Sequence, residues 1–385
     1  MVRMGCVVHE GLDFSISRDD LLQSLGYVSG VIERRNNIAV LSCVRMEAKN
    51  NVVELTSTDL DVSIEARVNA NILSEGVAVA SAQLLYDIVR KLSGDSDIRF
   101  KMEGGKLLIT CGGARFFLHV IEAGKFPTIE AGDLDHTFDI QASCLADLLN
   151  KTKFSMSVEE SRYNLRGVYL HIDDATLSCV ATDGHRLSLA RVDKPEGLDS
   201  SVGVIIPRKT VNEILKVIGS GSSVGGGDAS SSVVRVGLSS SKICFRYRGY
   251  FMISRVVDGL FPDYNSVIPN DESVNCVSMD TSVLLGAVDR VSVVVFDKVK
   301  AIKLSFSSGK LTLSSASSEQ GDATEELSID YEGSDITIGL NARYLMEVLG
   351  CIKGACSIVF STCDSAVLIK DGEHHGLHLI MPMRT

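Results

Sequence analysis

Residues 14–25 read FSISRDDLLQSL, a short alternating strand pattern that runs directly into the start of a helix. The same pattern recurs at 138–149 as FDIQASCLADLL and at 277–288 as VSMDTSVLLGAV. In each copy a polar residue stands where the helix begins and paired apolar residues follow, which is typical of a capped amphipathic helix. A strand–helix pattern that occurs three times predicts three repeated domains.

A second strand–helix pattern also occurs three times along the chain. It reads VAVASAQLLYDIVRKL at 77–92, VIIPRKTVNEILKVI at 204–218 and ITIGLNARYLMEVLGCI at 336–352. Each copy begins with a strand-like apolar run and continues with apolar residues at helical spacing. Each repeated domain is therefore predicted to contain two helices.

A third repeated sequence shows how the first two predicted domains align with each other. NVVELTSTDLDVSIEARV at 51–68 matches ATLSCVATDGHRLSLARV at 175–192, and the two matching Thr-Asp pairs are as far apart as Phe14 and Phe138. Each repeat closes on a strand followed by proline, at Pro127, Pro262 and Pro382.

These limits predict three domains, over residues 1–127, 128–265 and 266–385, each of a common domain size. Several short alternating strands accompany the two helices of each domain. The expected fold class is α+β, with two helices packed on mostly antiparallel sheets in every domain.

The charge balance excludes a generally basic nucleic-acid coat. The 385 residues carry 38 lysines and arginines against 49 aspartates and glutamates, a net charge of −11. The first predicted domain holds 14 basic and 16 acidic residues and the second holds 15 and 17, so each can present a local basic face. The third domain holds 9 basic and 16 acidic residues, so the acidity is concentrated there.

The sequence gives no sign of a membrane segment, a metal site or a cofactor site. It contains neither a run of about 20 apolar residues nor an apolar leader, so we expect a cytoplasmic protein with no membrane partner. The ten cysteines are scattered without a CxxC pair, which favours reduced, buried thiols over disulfides or a zinc site. We therefore expect no metal and no cofactor.

The most enzyme-like string is Thr182-Asp183-Gly184-His185-Arg186, because an aspartate close to a histidine can carry out acid–base catalysis. No nucleophile motif or phosphate-binding loop accompanies it, and the related string Thr58-Asp59-Leu60-Asp61 lacks the histidine. A turn in which Asp183 and Gly184 reverse the chain is the alternative interpretation. A hydrolase or transferase that uses Asp183 and His185 remains the competing hypothesis for the function.

Two further stretches can be interpreted either as purely structural or as functional. Residues 246–251, RYRGYF, alternate basic and aromatic side chains, which suits stacking of single-stranded bases but equally suits one strand with two distinct faces. We favour the strand. Residues 219–232, GSGSSVGGGDASSS, lack the Gly-Lys-Ser/Thr of a phosphate-binding loop and predict a flexible surface loop.

Basic residues recur on or just after the predicted helices, and each alone is a solvated charge. If the helices of all three domains share one surface, these residues would line it and face a phosphate backbone. The residues that we expect to face DNA in this way are Arg34, Arg35, Lys91, Lys151, Lys153, Arg208 and Lys209.

Four strings in a fixed order carry a resemblance to a known family. They are ATDGHRLSLARV at 181–192, IIPRK at 205–209, SRVVDGLFPDY at 254–264 and MPMR at 381–384. In these strings, and in nearly its whole length from about residue 12, the chain resembles the bacterial DNA polymerase III beta subunit, the replication sliding clamp.

The resemblance implies a head-to-tail homodimer in which six domains close a ring, with two helices of each domain lining a central hole. Such a ring encircles duplex DNA and tethers the polymerase, which raises its effective concentration at the primer end without any chemistry of its own. The implied partners are double-stranded DNA, the DNA polymerase III alpha subunit, the clamp loader, and other replication and repair proteins that carry a peptide motif.

The family's partners dock a short peptide into an apolar cleft between the second and third domains. The positions of this chain that match that cleft are Leu165, Thr182, Gly184, His185, Arg186, Leu187, Pro262, Val267, Asn341, Tyr344, Val367, Met381, Pro382, Met383 and Arg384. In this interpretation His185 forms part of the cleft wall and is not a catalytic base.

The positions that match the family's dimer interface are Phe116, Leu118, Val293, Val294 and Val295. Acidic residues of the third domain, Glu319, Asp322, Glu325 and Glu326, are expected to face basic residues such as Arg115 across that interface. The segment 293–295 can equally be a core segment that follows a helix, and both interpretations stay open.

Overall fold

The computed structural model describes residues 11–33, 38–198, 201–219, 232–269, 275–295, 301–317, 320–372 and 376–383. Several predicted features lie outside the described residues: Arg34, Arg35, Glu319, Arg384 and residues 220–231 of the glycine-rich stretch.

In the described residues six α-helices each follow directly on a strand, as the repeated patterns predict. The helices are α1 Arg18–Val28, α2 Ala82–Lys91, α3 Ala142–Asn150, α4 Arg208–Gly219, α5 Thr281–Ser292 and α6 Ala342–Leu349. None of the helices in the described part of the chain is long and apolar enough to span a bilayer.

Short strands make up most of the remaining chain. The first nine are β1 Asp13–Ser17, β2 Cys43–Lys49, β3 Val52–Thr58, β4 Val62–Asn69, β5 Asn71–Ser74, β6 Gly76–Ser81, β7 Asp97–Glu103, β8 Lys106–Cys111 and β9 Ala114–Ile121. The next eight are β10 His136–Gln141, β11 Gly167–Ile172, β12 Thr176–Thr182, β13 Arg186–Asp193, β14 Val202–Pro207, β15 Val233–Leu238, β16 Lys242–Tyr247 and β17 Tyr250–Arg255. The last eight are β18 Asn275–Asp280, β19 Ala301–Ser307, β20 Lys310–Ser317, β21 Gly321–Ser328, β22 Ile336–Asn341, β23 Ala355–Phe360, β24 Val367–Asp371 and β25 Gly376–Ile380.

Polar side chains at the ends of the strands start the helices. Ser17 accepts a hydrogen bond from a backbone N–H of the first turn of α1, and Ser81 does the same for α2. Asp280 caps α5 and Asn341 caps α6, each accepting from two backbone N–H groups. These caps satisfy N–H groups that have no partner inside the helix, so the strand–helix junctions occur where the repeated polar residues predict them.

The chain forms two compact units. The first unit comprises the described residues of 1–146, 196–198 and 209–256, and the second comprises those of 147–195, 199–208 and 257–385. In the first unit thirteen strands follow the order β10-β15-β16-β17-β4-β3-β2-β6-β9-β8-β7-β1-β5. In the second unit eight strands follow the order β14-β11-β12-β13-β25-β24-β23-β18, and four more follow the order β21-β20-β19-β22.

The sheets are antiparallel and join strands from different repeats. In the first unit β4 pairs with β17, with Ile64 opposite Met252. In the second unit β13 pairs with β25, with Leu187 opposite Leu379. The strands of the predicted middle domain are therefore divided between the two units, since β10 and β15–β17 extend one sheet and β11–β14 extend another.

Aromatic rings are stacked in the core of each unit. Phe14 and Phe100, both fully buried, stack with ring centroids 4.9 Å apart in the first unit. In the second unit Phe306 and Phe360 stack at 4.2 Å. Because each of these rings lies on an inward position of an alternating strand, the predicted alternation places them in the core.

The prediction of one strand over residues 246–251 is wrong, because the chain turns back in the middle of the segment. Strands β16 and β17 form a hairpin through Arg248 and Gly249, both of which have positive φ angles. Tyr247 and Tyr250 are buried at the two sides of the turn. Their burial leaves neither ring available to stack on a base.

One histidine is completely buried in the second unit. His378 lies on β25 with no exposed surface, and its Nδ1 is 2.9 Å from the Oγ of Ser188 on β13. Burial is the main cause that lowers the pKa of His378, to about 4, against the attraction of the nearby Asp371 carboxylate. His378 is therefore neutral in the folded chain at ordinary pH.

The burial of His378 predicts a loss of stability in mild acid. Between pH 7 and pH 5 the unfolded histidine takes up a proton and the folded one does not, so the free energy of unfolding should fall as the pH falls. The wild-type chain should lose about 2 kcal/mol more than a His378→Leu variant over this range. Urea unfolding followed by circular dichroism at both pH values measures this difference, and equal losses in the two proteins would contradict the prediction.

Candidate functional site

The segment 182–186 forms a tight turn at the end of β12. The Oγ1 of Thr182 donates to the carbonyl oxygen of Arg186 at 2.7 Å and accepts from the N–H of Gly184 at 3.1 Å. Gly184 has a φ angle of +87°, a region that glycine adopts without strain. The turn therefore depends on the side chain of Thr182 and on the absence of a side chain at Gly184.

Asp183 forms the turn and is not placed as a catalytic acid or base. Its Oδ1 accepts from the backbone N–H groups of His185 and Arg186 at 2.9 and 3.1 Å, and its Oδ2 accepts from the Nε of Arg186 at 3.0 Å. These bonds engage both carboxylate oxygens, while the His185 side chain is exposed. The geometry thus favours the turn over the acid–base interpretation.

Arg186 is the most highly connected side chain of the turn. Only 7% of it is exposed, and it forms salt bridges with Asp183 and Glu347. Its guanidinium carbon lies 4.1 Å from the ring centroid of Tyr344, and its Nη2 donates to the carbonyl oxygen of Phe154. A planar cation held by two carboxylates and one ring has a fixed orientation.

The C-terminal segment of the chain runs next to this turn. The N–H of Met381 donates to the carbonyl oxygen of His185 at 2.9 Å, and that of Met383 donates to Gly339 at 2.8 Å. Met381 is 45% exposed, whereas Pro382 is half-buried. The structure thus places Met381 against the turn and Met383 against Gly339.

Two more predicted positions lie at the start of α6. Asn341 caps this helix through Oδ1, and the ring of Tyr344 is half-buried beside Arg186. Burial is the main cause that raises the pKa of Tyr344, and the nearby Asp183 carboxylate adds to it. The phenol is therefore a neutral hydrogen-bonding group at the edge of the turn.

Leu187 and Val367 are buried beneath the surface of the site. Leu187 packs in an apolar cluster with Val180, Tyr264 and Leu379, and Val367 lies opposite Ile380 in the sheet. Only 3% of Leu187 and 1% of Val367 are exposed. Both therefore lie beneath the predicted site and contribute little accessible surface to it.

The remaining predicted cleft residues lie on two segments fixed near the turn. Arg162, three residues before Leu165, donates through Nη1 to the carbonyl oxygen of Asp183 at 2.6 Å. Asn164 donates to the carbonyl oxygen of Leu260 at 2.9 Å, which ties this segment to the one that carries Pro262. Pro262 and Val267 are both exposed, and Val267 is 52% exposed.

The first unit contains a second copy of the turn. Thr58 Oγ1 donates to the carbonyl oxygen of Val62 at 2.9 Å, and Asp59 Oδ1 accepts from the N–H groups of Asp61 and Val62 at 3.0 and 2.7 Å. At the position of Arg186 this copy has Val62, which is 2% exposed. Lys209 forms salt bridges with Asp59 and Glu33 and covers the free carboxylate oxygen of the turn.

The residues predicted to face DNA differ in how accessible they are. Lys91 at the end of α2 is exposed, and Lys153 is half-buried. Arg208 is half-buried and donates through Nη2 to the carbonyl oxygens of Met156 and Ser157 at 2.7 and 3.2 Å. Lys209 is 30% exposed and forms salt bridges with two carboxylates of the first unit.

Lys151 is buried, which contradicts the prediction that it faces DNA. Its side chain is 4% exposed, and its Nζ lies 2.9 Å from a carboxylate oxygen of Asp371 and 3.0 Å from one of Asp147. Burial alone would lower the pKa of Lys151, but the two carboxylates outweigh it and the pKa is raised. The lysine is therefore a charged core residue that neutralises the buried Asp371.

The predicted dimer residues of the first unit lie on β9, and they do not all face outward. Leu118 is 4% exposed and faces Leu107 of β8, and Phe116 is half-buried opposite Ile109. Phe117, which points to the other side of the strand, is 57% exposed. Little of Leu118 is accessible in the single chain, whereas Phe117 is an exposed ring on the same strand that the sequence analysis did not single out.

The segment 293–295 combines both interpretations that the sequence left open. Val293 is 63% exposed and Val294 is half-buried, whereas Val295 is 5% exposed and belongs to the core. The adjacent strand β21 pairs only with β20, so its other edge is unpaired in the sheet as described. Strand β9 likewise pairs with β6 only at Val120 and Ile121.

The acidic residues of β21 already have partners within the chain. Glu325 forms a salt bridge with Arg290, and Glu326 forms one with Lys310 at 2.9 Å. The Arg290 guanidinium beside Glu325 lowers the pKa of that carboxyl. Asp322 is exposed at the start of the strand.

No metal site was found in the described ranges, where no three residues among histidine, cysteine, aspartate and glutamate are grouped closely enough to hold an ion. Nine cysteines in these ranges are free thiols, of which Cys43, Cys179, Cys244 and Cys356 are buried.

The buried lysine gives a stability prediction. Replacing Lys151 with methionine leaves Asp371 as an uncompensated buried charge, so the free energy of unfolding should fall by about 3–5 kcal/mol. Urea unfolding at pH 7 measures the loss. The control is Asp147→Asn, which removes the partner that is 57% exposed and should cost under about 1 kcal/mol.

A double variant checks the physical reason. Lys151→Met combined with Asp371→Leu removes both charges and should recover most of the stability that Lys151→Met loses. A loss below about 1 kcal/mol for Lys151→Met, or no recovery in the double variant, would show that the pair is not a buried ion pair.

Comparisons with known proteins agree with the repeated fold. Sequence models of the DNA polymerase III beta subunit match the chain in three consecutive parts: the N-terminal domain at 12–130, the central domain at 139–263 and the C-terminal domain at 265–384. The beta sliding clamp of Caulobacter vibrioides is 36% identical over 381 residues, which cover 97% of this chain and 100% of that protein. The beta sliding clamp of Pseudomonas putida is 34% identical over 376 residues, with the same coverage.

Solved structures of sliding clamps superpose on the chain over nearly its whole length. The sliding clamp from Bartonella birtlesii bound to griselimycin has a TM-score of 0.92 and 35% identity, and covers 97% of this chain and 100% of its own. The DNA polymerase sliding clamp from Caulobacter crescentus has a TM-score of 0.89 and 36% identity, with the same coverage. Three matched domains, close relatives and the shared fold together place the chain in the DNA polymerase III beta subunit family, the beta sliding clamps.

Proposed function

We propose that two copies of this chain join head to tail into a ring around duplex DNA, and that partner proteins dock a peptide beside Arg186. As a sliding clamp, the chain is a non-catalytic processivity factor of DNA polymerase III. The observation that carries the proposal is the rigid, partly apolar site in which Arg186, Tyr344 and Met381 lie together. We propose that the ring works in the cytoplasm.

The ring would contain six domains, three from each chain. We propose domain bounds of 1–127, 128–265 and 266–385, and the three segments that match the family models lie close to these bounds. The division of the chain into two compact units follows its sheets, which continue from one repeat into the next.

The proposed peptide site combines apolar contact area with a few fixed polar groups, which suits short linear peptides. Met381 and Val267 give exposed, adaptable apolar surface, and Arg186 and Asn341 give oriented polar groups. The proposed set is Leu165, Thr182, Gly184, His185, Arg186, Leu187, Pro262, Val267, Asn341, Tyr344, Val367, Met381, Pro382, Met383 and Arg384, with Leu187 and Val367 acting from below.

The partners that we propose for this site are the DNA polymerase III alpha subunit, the clamp loader, and other replication and repair proteins that bear a peptide motif. All would compete for the same surface. A tether of this kind raises the local concentration of a partner at the DNA without adding a contact to the DNA itself.

The proposed contact with DNA is weak and independent of sequence. The set of residues is Arg34, Arg35, Lys91, Lys153, Arg208 and Lys209, without the buried Lys151. Lys209 forms a salt bridge with Asp59 and Arg208 donates to a backbone carbonyl oxygen, so these two charges are not fully free to fix a phosphate. A chain of net charge −11 then depends on enclosure rather than on affinity to stay on DNA.

The proposed dimer joins the free edge of β9 in one copy to the free edge of β21 in the other. The β9 edge carries Arg115 and Phe117, and the β21 edge carries Asp322, so the two edges are complementary in charge. Unpaired strand edges readily pair with a second chain. Because the two edges are different, the contact is head to tail, and two such contacts can close a ring.

A topological test distinguishes enclosure from surface binding. The protein is loaded onto nicked circular DNA by the cognate loader and ATP, and free protein is removed by gel filtration. Half of the sample is then cut once with a restriction enzyme. We expect retention on intact circles and loss from linear DNA, because a mobile ring slides off free ends.

Omission of ATP is the control and should leave little protein on either DNA. Equal retention on circles and linear molecules would mean ordinary surface binding, and the ring would have to be abandoned. No retention on circles with an active loader would also contradict the proposal.

The proposed interface predicts that Phe117→Glu separates the dimer. A glutamate at this position removes an exposed ring and meets the acidic edge of β21, so the dimer dissociation constant should rise at least about tenfold. Sedimentation equilibrium measures the shift from about twice 41.5 kDa toward 41.5 kDa. The matched control is Leu73→Glu, at a residue of β5 that is 60% exposed, and a dimer unchanged by Phe117→Glu would contradict this interface.

A further inference from the structure

A chain of four polar groups, three of them fully buried, crosses the second unit beneath the proposed peptide site. The Oγ atoms of Ser155 and Ser188 are 2.7 Å apart, and Ser188 Oγ is 2.9 Å from His378 Nδ1. On the other side of the ring, His378 Nε2 is 3.7 Å from the sulfur of Cys351. Ser155, Ser188 and His378 have no exposed surface.

The protonation state of the Cys351 thiol determines which group donates in each of these hydrogen bonds. Burial raises the pKa of Cys351 to about 12, so it keeps its proton, which it donates to the carbonyl oxygen of Val348 at 3.0 Å. The sulfur can then only accept from His378, which places the imidazole proton on Nε2 and leaves Nδ1 to accept from Ser188. Ser188 accepts in turn from Ser155, so every donor in the chain is used once.

Ser155 belongs to a short segment, residues 151–155, which the buried Lys151 also fixes in place. Lys151 reaches Asp371 on β24 at 2.9 Å, and Thr152 donates through Oγ1 to the carbonyl oxygen of Leu148 at 2.8 Å. Residues 151–155 are therefore tied to β13, β24 and β25 by buried polar contacts. Satisfied buried hydrogen bonds, such as those of Ser155, Ser188 and His378, hold a segment in one arrangement.

The turn Lys153–Ser155 in this segment contacts Arg186 directly. The carbonyl oxygen of Phe154 accepts from Arg186 Nη2, and the Phe154 ring centroid lies 5.6 Å from the guanidinium carbon. The ring centroid of His378 lies 5.8 Å from that of Phe154. Phe154 is thus a neighbour of both the buried histidine and the arginine of the site.

We propose that His378 is a positioning residue for the peptide site: with Ser188 and Ser155 it holds Phe154 in place, and Phe154 orients the Arg186 guanidinium. The inference rests on the proposed peptide site. His378 is buried and would not touch the peptide, so it would act only through the position of Arg186.

The physical reason is that each nitrogen of the Arg186 guanidinium has one contact that holds it in the plane. Asp183 holds Nε and Glu347 holds Nη1, so the Phe154 carbonyl is the contact of Nη2 that completes the plane. If the turn at 153–155 shifts, Nη2 loses a charge-assisted bond, and the guanidinium no longer lies fixed over the Tyr344 ring.

The test is a double-mutant cycle between His378 and Arg186. The probe is a fluorescein-labelled peptide from the cognate DNA polymerase III alpha subunit, and fluorescence anisotropy gives its dissociation constant. The variants are His378→Leu, Ser155→Ala, Arg186→Ala, and each of the first two combined with Arg186→Ala. Ser155→Ala is the milder change and keeps the test valid if His378→Leu does not fold.

We expect His378→Leu and Ser155→Ala each to weaken peptide binding about fivefold in the wild-type background, the effect of one lost hydrogen bond. In the Arg186→Ala background the same changes should have less than about a twofold effect, because the group through which they act is gone. The control for general destabilisation is Leu313→Ala, at a fully buried residue of β20 in the core of the second unit, which should lower the melting temperature without changing peptide affinity.

Two results would overturn the inference. Unchanged affinity in the wild-type background would show that Arg186 does not depend on the buried chain. Equal weakening in both backgrounds would show that His378 acts by another route. If Arg186→Ala itself leaves the affinity unchanged, the peptide site is misplaced and both proposals fail, which separates that outcome from the first two.

Discussion

Antiparallel pairing between strands of different repeats is the interaction on which the rest of this structure depends. The pairing of β13 with β25 continues one sheet from the middle of the chain to its C-terminal strand. That continuation brings Met381 against the turn at 182–186 and places α6, with Tyr344, beside Arg186. Backbone hydrogen bonds therefore assemble a site whose side chains come from distant parts of the sequence.

Much of this architecture could be predicted from the sequence because its signals are local. The strand–helix junctions lie at Ser17, Ser81, Asp280 and Asn341. At each junction, apolar residues at every second position of a strand are followed by a capping residue and by apolar residues at helical spacing. The turn at Thr182 is local as well, since the hydrogen bonds that the Thr182 and Asp183 side chains form within it join residues at most four positions apart.

The features that could not be predicted depend on distant partners or unusual backbone angles. Nothing near Lys151 in the sequence indicates that Asp371 neutralises it in the core. Arg248 adopts a positive φ angle that arginine seldom shows, so its hairpin resembles a continuous strand in sequence. The cleft positions came from the family resemblance, and no local pattern indicates that Phe154 and Glu347 hold Arg186.

The duplicated turn has a consequence for stoichiometry. The copy at Thr58 keeps the backbone hydrogen bonds of the copy at Thr182, but Val62 replaces the arginine and Lys209 covers Asp59. The proposed ring of two chains would contain four such turns and, at the proposed peptide site, two open ones. Two partners could then be held on one ring at once, so that one could take over from its neighbour without either leaving the DNA.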